Sequence, residues 1–177
     1  MDNSLSAYLM YMKNIYEALY YIEKYFGFLY ARGYKIVNQQ FDRQSFGNWI
    51  VVFKSEECVL RFIQDRKDVN IEVGPSSSSI EISGEKSFTD LDQLVDYIKK
   101  KDINIFSSNT SKDIDIQLGR LSTLLSSEYS DVIQFVNNAN FPKEKDKISR
   151  LFFEKMKRIY PNMKFVDKTN SNKESTT

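Results

Sequence analysis

The stretch Leu60–Pro75, LRFIQDRKDVNIEVGP, sets two alternating apolar runs around a polar centre, Asp65-Arg66-Lys67-Asp68. Cys58, Leu60 and Phe62 point one way and Val59, Arg61 and Ile63 the other. In the second run Val69, Ile71 and Val73 face inward, with Asn70 and Glu72 outward. A period of two is that of a pleated strand with one face in a core. Two such runs joined by a short polar connector predict an antiparallel hairpin. Asp65, Arg66 and Asp68 then have two readings. One is a solvated turn, which Asp initiates well. The other is a catalytic carboxylate, Asp65 or Asp68, oriented by Arg66. The turn is the stronger reading, because no second constellation supports the catalytic one.

Working outward, residues 34–41 (YKIVNQQF) read as a strand with Tyr34, Ile36 and Asn38 opposite Lys35 and Val37. Residues 49–55 (WIVVFKS) are apolar on both faces, as expected of a central strand. The meander is thus 34–41, 49–55, 56–64 and 68–73. Gly74-Pro75 stops it, and a serine run follows as a flexible loop. Residues 79–83 (SIEIS) supply a fifth, edge strand. The Gly and Ser here lack the Gly-Lys-Ser/Thr ending of a phosphate-binding loop.

Helices flank this sheet. Leu5, Tyr8, Met12, Ile15, Leu19, Ile22, Phe26 and Leu29 recur at steps of three and four. They predict one N-terminal amphipathic helix of about 28 residues, from a Ser4 N-cap to a Gly33 stop, with Gly27 as a kink. That stripe packs on the rest of the domain or on a second copy of the chain, giving a homodimer. Thr89 is the expected N-cap of a short helix with Leu91, Leu94, Val95 and Ile98 buried and Lys99–Lys101 at its end. Residues 114–137 form a second helix, with Ile114, Leu118, Leu121, Leu125, Val132 and Val136 near one face. A third begins at Pro142, with the stripe Ile148, Leu151, Phe152, Met156 and Ile159. The fold class is α+β: a long N-terminal helix, a four- to five-stranded antiparallel meander and three C-terminal helices. Residues 1–162 read as one domain and 163–177 as a disordered tail.

Composition excludes several chemistries. There is no histidine, so the commonest general base, metal ligand and pH switch are missing. Cys58 is the one cysteine; it forms no intramolecular disulfide, which favours a cytosolic setting, and its apolar neighbours predict an inert thiol. A net charge of +1 gives no strong pull toward nucleic acid or membrane. The N-terminus opens with an acid and is interrupted by Lys13, Glu17 and Glu23, unlike a signal peptide or a membrane span. No catalytic residue, metal site or cofactor is expected; Asp90, Asp92 and Asp96 lack the calcium-loop spacing, and Glu56-Glu57 reads as a solvated turn.

Two regions are candidates for binding. In FDRQSFGNW, Phe41, Phe46 and Trp49 surround Arg43 and Asn48. Exposed aromatics with Arg on a loop make a protein-binding hot spot; equally, Trp49 anchors the loop on the core. The outer sheet face with Arg61 and Glu72 would extend that surface. The other region is the last helix, where Lys143, Lys145, Lys147, Arg150, Lys155, Lys157 and Arg158 outnumber three acids. A solvated face is the stronger reading there, and contact with nucleic-acid phosphates the alternative.

The first hundred residues, through YFGFLYARGYKIV, FGNWIVVFKSEECVLRFIQDRKDVNIEVGP and FTDLDQLVDYI, resemble a loosely defined group of small bacterial proteins. Some of these are similar to immunity proteins of polymorphic toxin systems, which block a cognate toxin by binding it. The richness in Asn, Lys and Ile suits an AT-rich bacterial genome. The resemblance implies a cytoplasmic, non-enzymatic protein-binding module whose partner is another protein, a toxin among the candidates. It carries no functional residues with it.

Overall fold

The computed structural model describes residues 16–42, 48–81, 87–103 and 113–162. Five strands pair antiparallel in chain order: β1 (Lys35–Asp42), β2 (Asn48–Lys54), β3 (Cys58–Asp65), β4 (Asp68–Pro75) and β5 (Thr89–Asp90). The helices are α1 (residues 16–26), α2 (Phe28–Ala31), α3 (Leu91–Ile98), α4 (Ile114–Val136) and α5 (Phe141–Ile159). The class is α+β.

The hairpin at the centre of the sequence is a hairpin in the structure, with Asp65 opposite Asp68. Its turn puts Arg66 at φ 60°, a left-handed conformation that costs a non-glycine residue about 1 kcal/mol. Neighbours offset that cost. Asn48 Oδ1 accepts from the Arg66 N–H at 2.6 Å, and Asn48 Nδ2 donates to Asp65 Oδ1 at 2.8 Å. Gln64 Nε2 donates to the Arg66 carbonyl at 2.9 Å. Asp65, Arg66 and Asp68 are all exposed, as a turn requires.

Register assigns the faces. Val51, Phe62 and Ile71 align across three strands, as do Phe53, Leu60 and Val73; all six are fully buried on the inner face. The aromatic residues there meet edge to face, with ring centroids 4.8 Å apart for Phe26–Phe62 and 5.3 Å for Phe53–Phe62. Such pairs add about 1 kcal/mol each beyond the area they bury. α1 and α4 cover this face. Phe26, Ile22 and Ala18 come from α1, and Leu118, Leu121, Leu125 and Val132 from α4.

The second face is covered in part. Val52 and Val59 on it are fully buried. The chain beyond β4 crosses it, with Asn38 Nδ2 of β1 donating to the Ile80 carbonyl at 3.0 Å. Ser78 is only 3 % exposed, so the serine run is a packed crossing rather than a free loop at that point. Gly74 makes the crossing possible: a Cβ there would lie 2.7 Å from Ser78 Oγ and 3.0 Å from the Phe88 ring.

Four details depart from the sequence reading. The single N-terminal helix is broken at Gly27 into α1 and α2 over the described residues, and Ser4 lies outside them. Gly33 does close α2, at φ 81°. Strict alternation in β1 fails, because a bulge between Ile36 and Asn38 puts Ile36 opposite Phe53 and Asn38 opposite Val52, on different faces. Among the described residues the fifth strand is Thr89–Asp90, paired with Val73 and Glu72; of the expected 79–83, residues 79–81 form no strand and 82–83 lie outside the described residues. Because Thr89 is used by the sheet, the N-cap of α3 moves one residue on, to Asp90, whose side chain accepts from Gln93 N at 3.1 Å. Residues 163–177 lie outside the described chain.

Candidate functional site: a basic-rimmed cleft beside the last helix

The residues expected to bind a partner are placed as follows. Trp49 is 4 % exposed and belongs to the core, opposite Gln64 and Phe41. Phe41 is half-buried and packs on the same core. Asn48 is committed to the β3–β4 turn. Arg61 is 8 % exposed, ion-paired to Glu72 at 3.3 Å and stacked 4.7 Å from the Phe88 ring centroid. Glu72 is half-buried, and burial pushes its carboxyl up while Arg61 pulls it down. Arg43 and Phe46 lie outside the described residues. Trp49 and Arg61 are thus interior residues, and neither offers its side chain at the surface. The reason for Trp49 is its register: it aligns with Gln64 and Val69 on the inner face.

A second cluster is buried near the chain's one thiol. The Tyr34 hydroxyl lies 2.8 Å from Cys58 Sγ and 3.0 Å from the Tyr129 hydroxyl. Tyr129 donates in turn to a Glu57 carboxylate oxygen, with the Arg32 guanidinium 4.0 Å over its ring. Burial pushes the Cys58 thiol up to about 12, partly offset by the Tyr34 hydrogen bond. A thiol in that state is a poor nucleophile. The cluster ties the residue before β1 and the start of β3 to α4 at one end of the sheet.

The surface feature of most chemical interest lies elsewhere, between the end of α3 and α5. α5 starts with Pro142 in its first turn and buries only Phe141 and Ile148 fully. Among the described residues the rest of its apolar stripe is only partly covered: Leu151 is 40 % and Ile159 42 % exposed, with Phe152 and Met156 half-buried. On the other side, α3 ends at Lys99, and Lys100 takes φ 55°. This position favours glycine. The left-handed step turns the chain so that Lys100, Lys101, Asp102 and Ile103 run beside α5.

The result is a cleft of about 830 Å³. Its apolar wall and floor are Tyr97, Ile98, Ile103, Phe135, Leu151 and Ile159, and its charged residues are Lys100, Lys101, Lys147, Lys155 and Arg158 against Asp102 and Glu154. Tyr97 and Phe135 meet edge to face at 5.9 Å, and Phe135 meets Phe141 at 6.2 Å, which fixes the floor. Lys155 Nζ holds the walls together, bonding Asp102 Oδ2 at 2.6 Å and the Ile103 carbonyl at 2.7 Å. Tyr97 donates to Glu144, and the Tyr97 hydroxyl, with Glu144 nearby, holds Lys147 further toward its charged form. Lys99 faces away, paired with Glu128 at 2.6 Å and Asp131 at 3.0 Å on α4. An apolar concavity of this size with a few placed charges has the make-up of a binding site.

The sequence reading found both parts of this cleft, the stripe and Lys100–Lys101 of the lysine triplet, but read each by itself. What it missed is that α5 buries only Phe141 and Ile148 fully, both in its N-terminal half, while its C-terminal half is tied down at Phe152 and through Lys155. Among the described residues, no group of three or more His, Cys, Asp or Glu side chains is placed to hold a metal ion, and no helix is long and apolar enough to cross a membrane. Compared with family models, with curated proteins and with solved structures, the chain matches none.

Proposed function

We propose that the chain is a non-enzymatic, cytoplasmic protein-binding module that acts by occlusion, as a toxin-neutralising immunity protein would, and that the α3–α5 cleft is its binding surface. One observation carries this reading: the apolar stripe of α5 is left half-covered at Leu151 and Ile159, on the lip of an 830 Å³ cleft. Apolar side chains at the edge of a concavity, ringed by charge, are what a partner buries to gain affinity. The inert state of Cys58 and the lack of histidine support a binding role over a catalytic one.

The test is site-specific photo-crosslinking in the cells that make the protein. A photoreactive residue at Leu151 should yield a discrete protein adduct that the same residue at exposed Lys35 of β1 does not. Equal adducts from both positions, or none from either, would overturn the reading.

A second reading rests on the excess of seven cations over three acids along α5. It makes the helix a phosphate-contacting face for nucleic acid. Binding would then fall steeply with salt, and substitutions at Leu151 would not matter.

A further inference from the structure

We infer that the cleft takes an acidic amphipathic helix of a partner protein, about three turns long. This rests on the protein-binding reading above and names the chemistry of the partner.

Length comes first. The cleft follows α5 from Lys147 to Ile159, which at 1.5 Å per residue is roughly 18 Å. That is the length of roughly three helical turns. The walls are helix α5 and the chain leaving α3, so no sheet edge is on offer for an extended peptide to join. A groove between such walls accepts the apolar stripe of a third helix.

Charge fixes the rest. Lys155 is spent on Asp102, and Lys147 sits near Tyr97 and Glu144. Lys100, Lys101 and Arg158 have no ion-pair partner among the described residues. These three cations stand on the rim, outside an apolar floor. A helix with apolar residues at three- and four-residue spacing and carboxylates flanking them satisfies floor and rim together.

Nucleic acid would engage the rim but leave the apolar lip against a polyanion, and the floor rings are already packed edge-on to each other. An anionic membrane surface would meet the rim but cannot enter a concave floor. Lys100 adds a further argument. It keeps a cation in a left-handed position where glycine is better tolerated, and the cation stands at the mouth of the cleft.

The experiment uses the full chain and four defined probes, read by fluorescence anisotropy. The probes are a labelled peptide with leucines at helical spacing and glutamates elsewhere, its counterpart with lysines for glutamates, a DNA duplex, and phosphatidylglycerol vesicles. The glutamate peptide should bind, more weakly as salt rises, and the lysine peptide should not. Reversing the rim with K100E/K101E/R158E should weaken the glutamate peptide by about tenfold or more and admit the lysine peptide. L151E should weaken the glutamate peptide, with far-UV circular dichroism confirming that each variant folds. Equal binding of the two peptides, an unchanged affinity in the rim-reversed variant, binding of DNA or vesicles alone, or no binding at all would each overturn the inference. Crosslinking at Leu151 with no acidic-helix binding would retire the inference and leave the broader reading standing.

Discussion

Gln117, buried in α4, accepts a hydrogen bond from the Val69 backbone N–H at 2.8 Å. Its Nε2 donates to the Lys67 carbonyl at 2.7 Å. One side chain thus satisfies a donor and an acceptor at the β3–β4 turn and pins α4 to it. Gln117→Leu keeps the volume and removes both bonds between α4 and the turn. We expect a loss of about 1–3 kcal/mol, seen as a lower urea midpoint with an unchanged slope. A loss below a few tenths of a kcal/mol would mean that water replaces the amide at no cost.

Asp90 caps α3 beside Glu72, its partner across the β4–β5 pair. Burial, with the nearby Asp92 and Glu72 charges adding to it and the cap hydrogen bonds opposing it, pushes its carboxyl from 3.8 up to about 6. The folded state therefore holds the proton more tightly than the unfolded chain does. Above the folded value the ionised carboxyl lowers stability by a constant amount. That penalty is relieved as pH falls from about 6 toward 3.8. Asp90→Asn keeps a capping oxygen and removes the charge. It should be the more stable form at neutral pH by on the order of 2 kcal/mol, with the difference closing near the lower end of that window. Thermal melts across the pH range would read it, and a constant difference would refute the assignment.

Cys58 should resist aromatic disulfide reagents in mildly alkaline buffer, since its thiol is raised to about 12 and buried. Labelling should occur at the rate at which the fold opens, and denaturant should speed it. Tyr34→Phe deletes the hydroxyl that contacts both Cys58 and Tyr129, at a cost of about 1 kcal/mol. Its labelling should quicken only in proportion to that loss. A larger acceleration would show that the hydroxyl itself shields the sulfur.

Gly74→Ala places a methyl group 2.7 Å from Ser78 Oγ and 3.0 Å from the Phe88 ring. We expect about 1–3 kcal/mol of destabilisation. Phe88→Leu in the same chain should recover part of it, because the coupled pair shares one space. Strictly additive effects in a double-mutant cycle would argue against the contact.

The sheet was largely legible because its signal is local. Leu60, Phe62, Val69, Ile71 and Val73 alternate in the sequence and are all buried on the face their period assigns. The Asp65–Asp68 turn was legible for the same reason. Trp49 was not, since its fate depends on which neighbours it meets, and a large aromatic near a polar loop suits a core or an interface equally well. The bulge at Ile36–Asn38 left no mark, because one extra residue in a short strand resembles continued alternation. Gln117 and Tyr129 carried no signal of their own in α4; their partners come from distant stretches that periodicity cannot see. The cleft was half visible: its stripe and its lysines could be read, but their juxtaposition depends on where α3 ends.

The chain-order pairing of the strands has a consequence for synthesis. Each strand can add to its predecessor as it leaves the ribosome, so the sheet grows from nearest neighbours without waiting for distant sequence. α1 has already emerged and can shield Phe62 from the start. The β4 side gains a first part of its cover from α3 and the larger part only when α4 arrives. A nascent chain paused before α4 therefore carries a sheet less fully sheltered on its β4 half, and in that interval it is most in need of a chaperone.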